Sequence, residues 1–497
     1  MDKIKEVLSF NNKVFETSNI NISNKILKEA LTFDDVLLLP QKSNIQSRKD
    51  VDTSTLLSKN INIKIPIVSS NMDTVTESKM AIAIAREGGI GFIHRFMSIE
   101  EQVNEVKIVK RSEGVLIEQP YTLRPDQILE DALEMMQTLK VTGLLVTDIN
   151  KKLLGILTSR DILFETNLYK KISDLMTKNL ITAPIGTSLE TAKEILHQNK
   201  IEKLPLVDEK GILQGLITTK DIIKKGEFPL SSKDSKGRLL VGASIGVKED
   251  VVERTSALLD ANTDVIVIDI AHGHSDNVIN TIKLLRKEFG NIEIIAGNVA
   301  TREGAEDIIS AGADCVKAGV GGGSVCITRI ITGSGVPQLT AIMDCVKASE
   351  EFGVPIIADG GIRNSGDIVK SIAAGANSVM LGSLLAGTEE SPGMTLMRGG
   401  KKYKIYRGSA GFGTAISRKQ QKLREINVSE YVPEGVESLV PYSGSVREVI
   451  TPLIGGLRSG MSYSGAKTIE ELKIKSKFVK ITGAGFKESN YHDVKLL

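Results

Sequence analysis

Residues 265–321 read VIVIDIAHGHSDNVINTIKLLRKEFGNIEIIAGNVATREGAEDIISAGADCVKAGVG. Three short apolar runs lie in this stretch, at 265–270, 292–298 and 315–321, and each ends in small or polar residues. Between them run helix-like segments, of which TREGAEDIISAGA (301–313) has a plain amphipathic pattern. Near-continuous apolar strands imply burial on both faces, as in a parallel sheet covered by helices. Working outward, the same unit recurs upstream at 66–70 (PIVSS), 88–93 (GGIGFI) and 239–246 (LLVGASIG). Downstream it recurs at 356–362 (IIADGGI) and 378–385 (SVMLGSLL), with SGDIVKSIAAGA (365–376) as a further crossover helix. Eight strands alternating with helices predict an α/β fold, a (β/α)₈ TIM barrel. A doubly wound sheet shares the alternation. Glycines clustered at the strand ends favour the barrel, because that face carries its chemistry.

The rhythm breaks once. Between Ile93 and Leu239 lie about 145 residues outside the barrel pattern, and they contain a repeat. LLVTDINKKLLGILTSRDIL (144–163) aligns without a gap on LPLVDEKGILQGLITTKDII (204–223), an offset of 60 residues. Such self-similarity marks two copies of one supersecondary unit, neither able to close a core alone. The pair resembles a tandem of CBS (cystathionine-β-synthase-type) modules, which often bind purine nucleotides. That resemblance implies ribose contacts from Thr158, Asp161, Thr218 and Asp221. The alternative is that these residues only cap helices, which is ordinary N-terminus chemistry.

The 497 residues are 41% hydrophobic and 25% charged, enough chain for about three domains and too much apolar content for disorder. Lys and Arg number 63 against 61 Asp and Glu, a net charge of +2 that directs the chain neither to nucleic acid nor to a membrane surface. No apolar run is long enough to span a bilayer, and the first residues lack a signal-peptide core. Three cysteines, Cys315, Cys326 and Cys345, make no disulfide framework and no metal spacing. A soluble, reduced, cytoplasmic enzyme is the expectation.

GVGGGSVCITR (319–329) carries the chemistry. Its glycines let backbone N–H groups crowd an anion, and Ser324 adds a hydroxyl. Cys326, on a loop beside that cradle, is a candidate nucleophile; Cys315 and Cys345 fall in strand and helix patterns and read as buried. A second cradle follows at Asp359-Gly360-Gly361 and Gly382-Ser383, the ends of consecutive strands, where barrels commonly hold phosphate. Asp359 suits ribose hydroxyls. Two phosphate-friendly loops and one nucleophile point to a single mononucleotide substrate. His272 and His274 lack a third metal ligand nearby in sequence and read as polar contacts at a helix start.

These segments, with LTFDDVLLLP (31–40), SSNMDTVTES (69–78) and IADGGIRNSGD (357–367), resemble the IMP dehydrogenase/GMP reductase family over nearly the whole chain. The resemblance implies a barrel formed by 1–110 and 231–497, with CBS modules at 111–170 and 171–230, in a homotetramer or octamer. It implies that Cys326 attacks purine C2 to form a covalent thioimidate. It further implies nucleotide contacts from Ser70, Ser324, Asp359, Gly360, Gly361, Gly382, Ser383, Tyr406 and Gly408. A nicotinamide cofactor would meet Asp269, Asn298 and Gly319. Potassium would sit on carbonyls of Gly321, Gly323 and Cys326, with Glu488 from a neighbouring subunit's GAGFKES tail (483–489).

Family members share the covalent intermediate and differ in what happens on either side of it. Dehydrogenases oxidise IMP with NAD and hydrolyse the thioimidate to XMP, which takes a general base: an Arg-Tyr pair on a flap before PEGVE. Here PEGVES (433–438) follows ISRKQQKLREINVSEYV (416–432), where Arg418, Arg424 and Tyr431 stand apart. Ser409 replaces the usual Met after Tyr-Arg-Gly, and aliphatic Ile270 follows Asp269, as in reductases. A GMP reductase needs only the nucleophile, NADPH and a Thr-Glu pair matching Thr328 and Glu434, a pair that dehydrogenases can also keep. The CBS insertion and the tail are commoner in dehydrogenases, although trypanosomatid-type reductases carry CBS modules and AGFGTAIS (410–417) looks like their flap. GMP reductase is therefore the preferred reading and IMP dehydrogenase the alternative. A nucleotide-sensing CBS protein with weak catalysis is the remote third, opposed by intact Cys326, Thr328 and Glu434.

Overall fold

The structure is a computed structural model that describes residues 25–112, 117, 120–139, 141–219, 222–223, 227–411, 432–491 and 493–494. The eight expected runs close into a parallel barrel: β1 (Ile67–Ser69), β2 (Ile90–Ile93), β3 (Val241–Ile245), β4 (Val265–Asp269), β5 (Ile294–Val299), β6 (Cys315–Ala318), β7 (Ile356–Asp359) and β8 (Ser378–Leu381). β8 pairs with β1, so no edge remains. The doubly wound alternative is excluded.

Alternation along each strand explains the apolar runs. Val68, Ile90, Phe92, Val265, Val267, Ile295, Cys315, Ile357 and Met380 fill the barrel interior. Their neighbours Ile67, Ile93, Ile266, Ile268, Ile294, Val316, Ile356 and Val379 pack outward on the helices. Both faces are buried, which is why no polar alternation shows in the sequence. The helices are α1 (Ser78–Arg86), α2 (Ile99–Arg111), α3 (Val251–Asp260), α4 (Asp276–Phe289), α5 (Arg302–Ala311), α6 (Gln338–Phe352), α7 (Ser365–Ala373) and α8 (Val446–Tyr463). Side chains set their starts: Ser98, Thr301 and Asn364 accept backbone N–H groups at the N-termini of α2, α5 and α7. α5 stops two residues short of the expected 313, because Gly312 takes φ +115° as its cap.

The insertion after α2 holds two three-stranded sheets built alike. Strands Thr122–Leu123, Gly143–Thr147 and Leu153–Thr158 form one, and Ala183–Pro184, Lys203–Val207 and Leu213–Thr218 the other. Gly143 pairs with Thr158 and Lys203 with Thr218, and both registers shift at the same place, after Val146 and after Leu206. The copies are stitched reciprocally: Leu153 N donates to Gly211 O (3.0 Å) and Leu213 N to Lys151 O (2.9 Å). The leading segments are exchanged, with Thr177 paired to Ile156 of the first copy and Ile117 to Leu216 of the second. Each copy has a small apolar cluster of its own, and the stitching explains how two such clusters stand together.

One element escaped the strand count. Between β8 and α8, strands Thr395–Arg398, Lys401–Arg407 and Glu437–Pro441 form an exposed antiparallel sheet. Lys404, 3% exposed, anchors it by donating to the carbonyls of Thr388 (2.8 Å) and Ser391 (2.6 Å). No helix of the described residues is long and apolar enough to cross a membrane.

Candidate active site

The C-terminal ends of the barrel strands surround a cleft of about 470 Å³. Cys326 follows β6 on the glycine loop, and the loop is held by the segment just before the outer sheet's third strand, Glu437–Pro441. Ile327 N donates to Glu434 O (2.9 Å), Val436 N donates to Val325 O (3.0 Å), and Cys326 bridges Gly435 in antiparallel fashion. This short ribbon sets Glu434 over the cysteine. Cys326 Sγ lies 3.2 Å from Thr328 Oγ1, which donates to Glu434 Oε2 at 2.7 Å. The three residues form a continuous hydrogen-bond chain from thiol to carboxylate.

Beneath this chain lies a buried ionic network that joins three expected residues, Asp269, Asn298 and Asp359, through a lysine that sequence reading missed. Lys317, pointing up from β6 with its side chain 2% exposed, donates to Asp269 Oδ1 (2.6 Å) and Asp359 Oδ2 (2.8 Å). Burial opposes its charge, but the two carboxylates outweigh that and hold its pKa above the ordinary lysine range. For Asp269 burial pushes upward, while Lys317 and Asn71 Nδ2 (2.8 Å) prevail and lower it. Asn298 Nδ2 donates to Asp359 Oδ2 and to Gly319 O, both at 2.8 Å. Gln338 Nε2 reaches Ala318 O (3.0 Å) and Asp359 O (3.1 Å). A Cβ at Gly319, where φ is +141°, would stand 2.2 Å from Asp359 O, so the crossing of β6 and β7 admits only glycine there.

The cleft gathers nearly every expected residue. Ser70, Ser324, Asp359, Gly360, Gly361, Gly382, Ser383, Tyr406 and Gly408 line it, as do Asp269, Asn298, Gly319, Gly321 and Gly323, with Cys326, Thr328 and Glu434. Gly360 and Gly361 take φ +97° and +78° at the end of β7, and Gly382 precedes the short helix Ser383–Ala386. The LTFDD segment braces this corner: Lys370 Nζ donates to Phe33 O (2.8 Å) and Arg363 Nη1 to Asp34 Oδ2 (2.8 Å).

Other expected residues fall elsewhere. Glu488, exposed at the end of helix Gly483–Glu488, does not line its own chain's cleft. Arg418, Arg424 and Tyr431 lie outside the described residues, as does Asp221. Thr158 ends a strand and donates to Asp161 Oδ2 through N (2.7 Å) and Oγ1 (2.6 Å), and Thr177 Oγ1 donates to Asp161 Oδ1 (2.9 Å). The residues after Thr158 form turns, so in the first copy this pair closes a turn instead of capping a helix. Thr218 ends the matching strand. His274 Nε2 meets Asp307 Oδ2 (2.9 Å), with His272 edge-on to its ring. Cys315 lies in the barrel interior and Cys345 on the buried face of α6; burial raises both thiols, Cys345 to about 12.

A profile of the IMP dehydrogenase / GMP reductase domain matches residues 30–492. The chain belongs to the IMP dehydrogenase/GMP reductase family. It is an NAD(P)-dependent oxidoreductase of purine metabolism acting on a purine mononucleotide. Among curated relatives, the inosine-5'-monophosphate dehydrogenase of Nitrosopumilus maritimus is 56% identical over 95% of this chain and 99% of its own. That of Halalkalibacterium halodurans is 53% identical over 95% and 98%. Among solved structures, a cysteine-to-alanine GMP reductase of Trypanosoma brucei in complex with guanosine 5'-monophosphate superposes with TM-score 0.89. It is 46% identical, over 96% of this chain and all of that one. The same organism's GMP reductase in complex with guanosine 5'-triphosphate has TM-score 0.78 and 42% identity, over 93% of this chain and all of that one.

Proposed function

We propose that this protein is a GMP reductase: GMP, NADPH and two protons give IMP, ammonium and NADP⁺. The observation that carries the reading is a flap sequence with no Arg-Tyr pair to hydrolyse the intermediate, beside an intact hydrogen-bond chain Cys326–Thr328–Glu434. The chain runs in the direction activation requires. The Cys326 proton passes through Thr328 Oγ1 to Glu434, and the thiolate attacks C2 of GMP. The same proton returns from Glu434 through Thr328 to the 2-amino group as the C2–N bond breaks, so one proton serves both steps and ammonia leaves neutral. Asp359 holds the ribose, and Gly360, Gly361, Gly382 and Ser383 hold the phosphate. Ser70, Ser324, Tyr406 and Gly408 complete the nucleotide contacts. Reduced nicotinamide supplies the hydride that converts the thioimidate to IMP and releases the thiolate.

The residues on the cofactor side fit that group. Asn298 Oδ1 is buried in the cleft without a hydrogen-bond partner among the described residues, an acceptor matched to a carboxamide N–H. Asp269 and Gly319 flank it. Carbonyls of Gly321, Gly323 and Cys326 offer the hard oxygen set suited to potassium. Glu488, turned away from its own cleft, suits donation to a neighbouring subunit in a homotetramer. The insertion serves as a CBS pair for a purine nucleotide, GTP foremost, given the complex solved for the trypanosomal reductase. The second reading, IMP dehydrogenase, is favoured by the names and identities of the curated relatives. One experiment separates them: purified protein with GMP plus NADPH, and with IMP plus NAD⁺, followed by nicotinamide absorbance. Sustained XMP formation without GMP-dependent NADPH oxidation would overturn the reductase.

A further inference from the structure

Lys404 donates to three backbone carbonyls, those of Thr388 (2.8 Å), Glu389 (3.3 Å) and Ser391 (2.6 Å), which engage all three of its N–H bonds. Among the described residues no carboxylate forms an ion pair with it, and burial pushes its pKa down. An apolar side chain would fill the same space without that cost, so the position calls for the three directed bonds. The carbonyls belong to the turn after helix Ser383–Ala386. That turn is fastened back to the helix, Thr388 Oγ1 donating to Leu385 O (2.7 Å) and Ser391 Oγ to Ala386 O (2.8 Å). At its other end the helix begins with Gly382 and Ser383, both in the wall of the cleft.

Lys404 shares a strand with Tyr406, two residues on and buried on the same side. The Tyr406 hydroxyl lies over Gly382, where a Cβ would stand 2.8 Å from it, so strand and helix meet a second time inside the cleft. Beyond Tyr406, Arg407 pairs with Glu437 and Gly408 N donates to Val436 O (3.1 Å). Those bonds fix the segment in which Gly435 bridges Cys326 and Glu434 accepts from Thr328. One buried ammonium therefore joins the helix at the phosphate corner to the strands that lead to Tyr406 and Glu434. Lys404 itself does not line the cleft. We propose that Lys404 is a positioning residue for the reaction, setting where Glu434 stands over Cys326. The inference rests on the Cys326–Thr328–Glu434 relay of the reading above.

The test is a double-mutant cycle in the full chain between Lys404→Ala and Glu434→Gln. Turnover with GMP and NADPH is measured per folded site, the sites being counted by calorimetric GMP binding. Lys404→Ala should lower kcat on the order of ten- to a hundredfold, the scale of a slightly misplaced catalytic group, with GMP affinity little changed. Because Lys404 acts through Glu434, the double variant should be no slower than Glu434→Gln alone. A merely structural anchor would lower the melting temperature and leave kcat per folded site where it was. Should Lys404→Ala not fold, Lys404→Met, which keeps the length and removes the donors, takes its place in the cycle. Wild-type kcat in the folded lysine variant beside a slow Glu434→Gln, or losses that multiply in the double variant, overturns this proposal alone. A fast Glu434→Gln, or a wild type inert with GMP and NADPH, overturns the relay reading and this inference with it.

Discussion

Replacing Glu434 by glutamine removes a proton carrier while keeping its shape. The amide oxygen can still accept from Thr328 Oγ1, now 2.7 Å from the carboxylate, and the backbone bond from Ile327 N is untouched. The structural loss is one charge-assisted hydrogen bond exchanged for a neutral one, about 1 kcal/mol. The catalytic loss is that of a general acid–base, ~10²–10⁴ in rate, or roughly 3–5 kcal/mol of transition-state free energy. Activity should therefore fall far more than stability. Because the glutamate both takes the thiol proton and returns it to the amine, the two losses should separate with pH: raised pH supplies the thiolate but not the acid. Mixing IMP with NADP⁺ forms the covalent intermediate once Glu434 has taken the Cys326 proton, so Glu434→Gln should slow the stopped-flow burst of NADPH at neutral pH and recover it at raised pH, where the thiol ionises unaided. Ammonia release from GMP should slow by at least ~10². A variant whose burst is not recovered at raised pH, or that keeps more than a tenth of wild-type turnover, would refute the relay.

Other outcomes follow from the same geometry. Cys326→Ser should retain GMP affinity and lose turnover by several orders of magnitude, checked by calorimetry beside NADPH oxidation. Cys345 stays protonated in the fold up to about 12, whereas the unfolded thiol ionises in the ordinary range. Between those values the folded state binds more protons, so stability is present at lower pH and falls as pH rises, by up to about 1.4 kcal/mol per pH unit. Cys345→Ala should flatten that alkaline decline in denaturant melts, and an unchanged slope would contradict the burial argument. Gly319→Ala forces a Cβ against Asp359 O and should abolish GMP binding or folding; a variant with wild-type GMP affinity would show that the crossing can relax. GTP should shift activity or oligomer size in wild type and not in Asp161→Ala, as light scattering with a nucleotide titration would reveal.

The barrel was legible because its strands are buried on both faces. Runs such as VIVIDI leave no polar alternation to confuse with a surface strand, and each one carries glycine or a small residue at its functional end. The repeat was legible for a different reason: an offset of 60 without a gap preserves even the irregularity after Val146 and Leu206. What could not be read was the exchange of leading segments, because Ile117 and Thr177 resemble neither each other nor a strand. The outer sheet failed for its composition. TLMRGGKKYKIYR (395–407) is rich in charge and exposed throughout its first eight residues, with burial only at Lys404 and Tyr406, and Lys404 holds it on three loop carbonyls, a contact no local pattern encodes.

In the site, the reactive and ligand-facing residues were found and the lysine that ties them together was not. Cys326 and Asp359 stand out because reactive groups beside glycines have few structural uses. Lys317 sits inside CVKAG, where a lysine at a strand end reads as a solvated rim. It is instead the cation between Asp269 on β4 and Asp359 on β7, elements 90 residues apart in the chain. Only closure of the barrel puts those two carboxylates within reach of one ammonium group. Removing either partner would leave an uncompensated charge in a buried place, so the three are held together as a set. The carboxylate proposed for ribose and the one proposed for the cofactor thus share a single lysine. A shift in one on ligand binding is felt by the other through two hydrogen bonds, which gives nucleotide and cofactor a direct physical path for coupling.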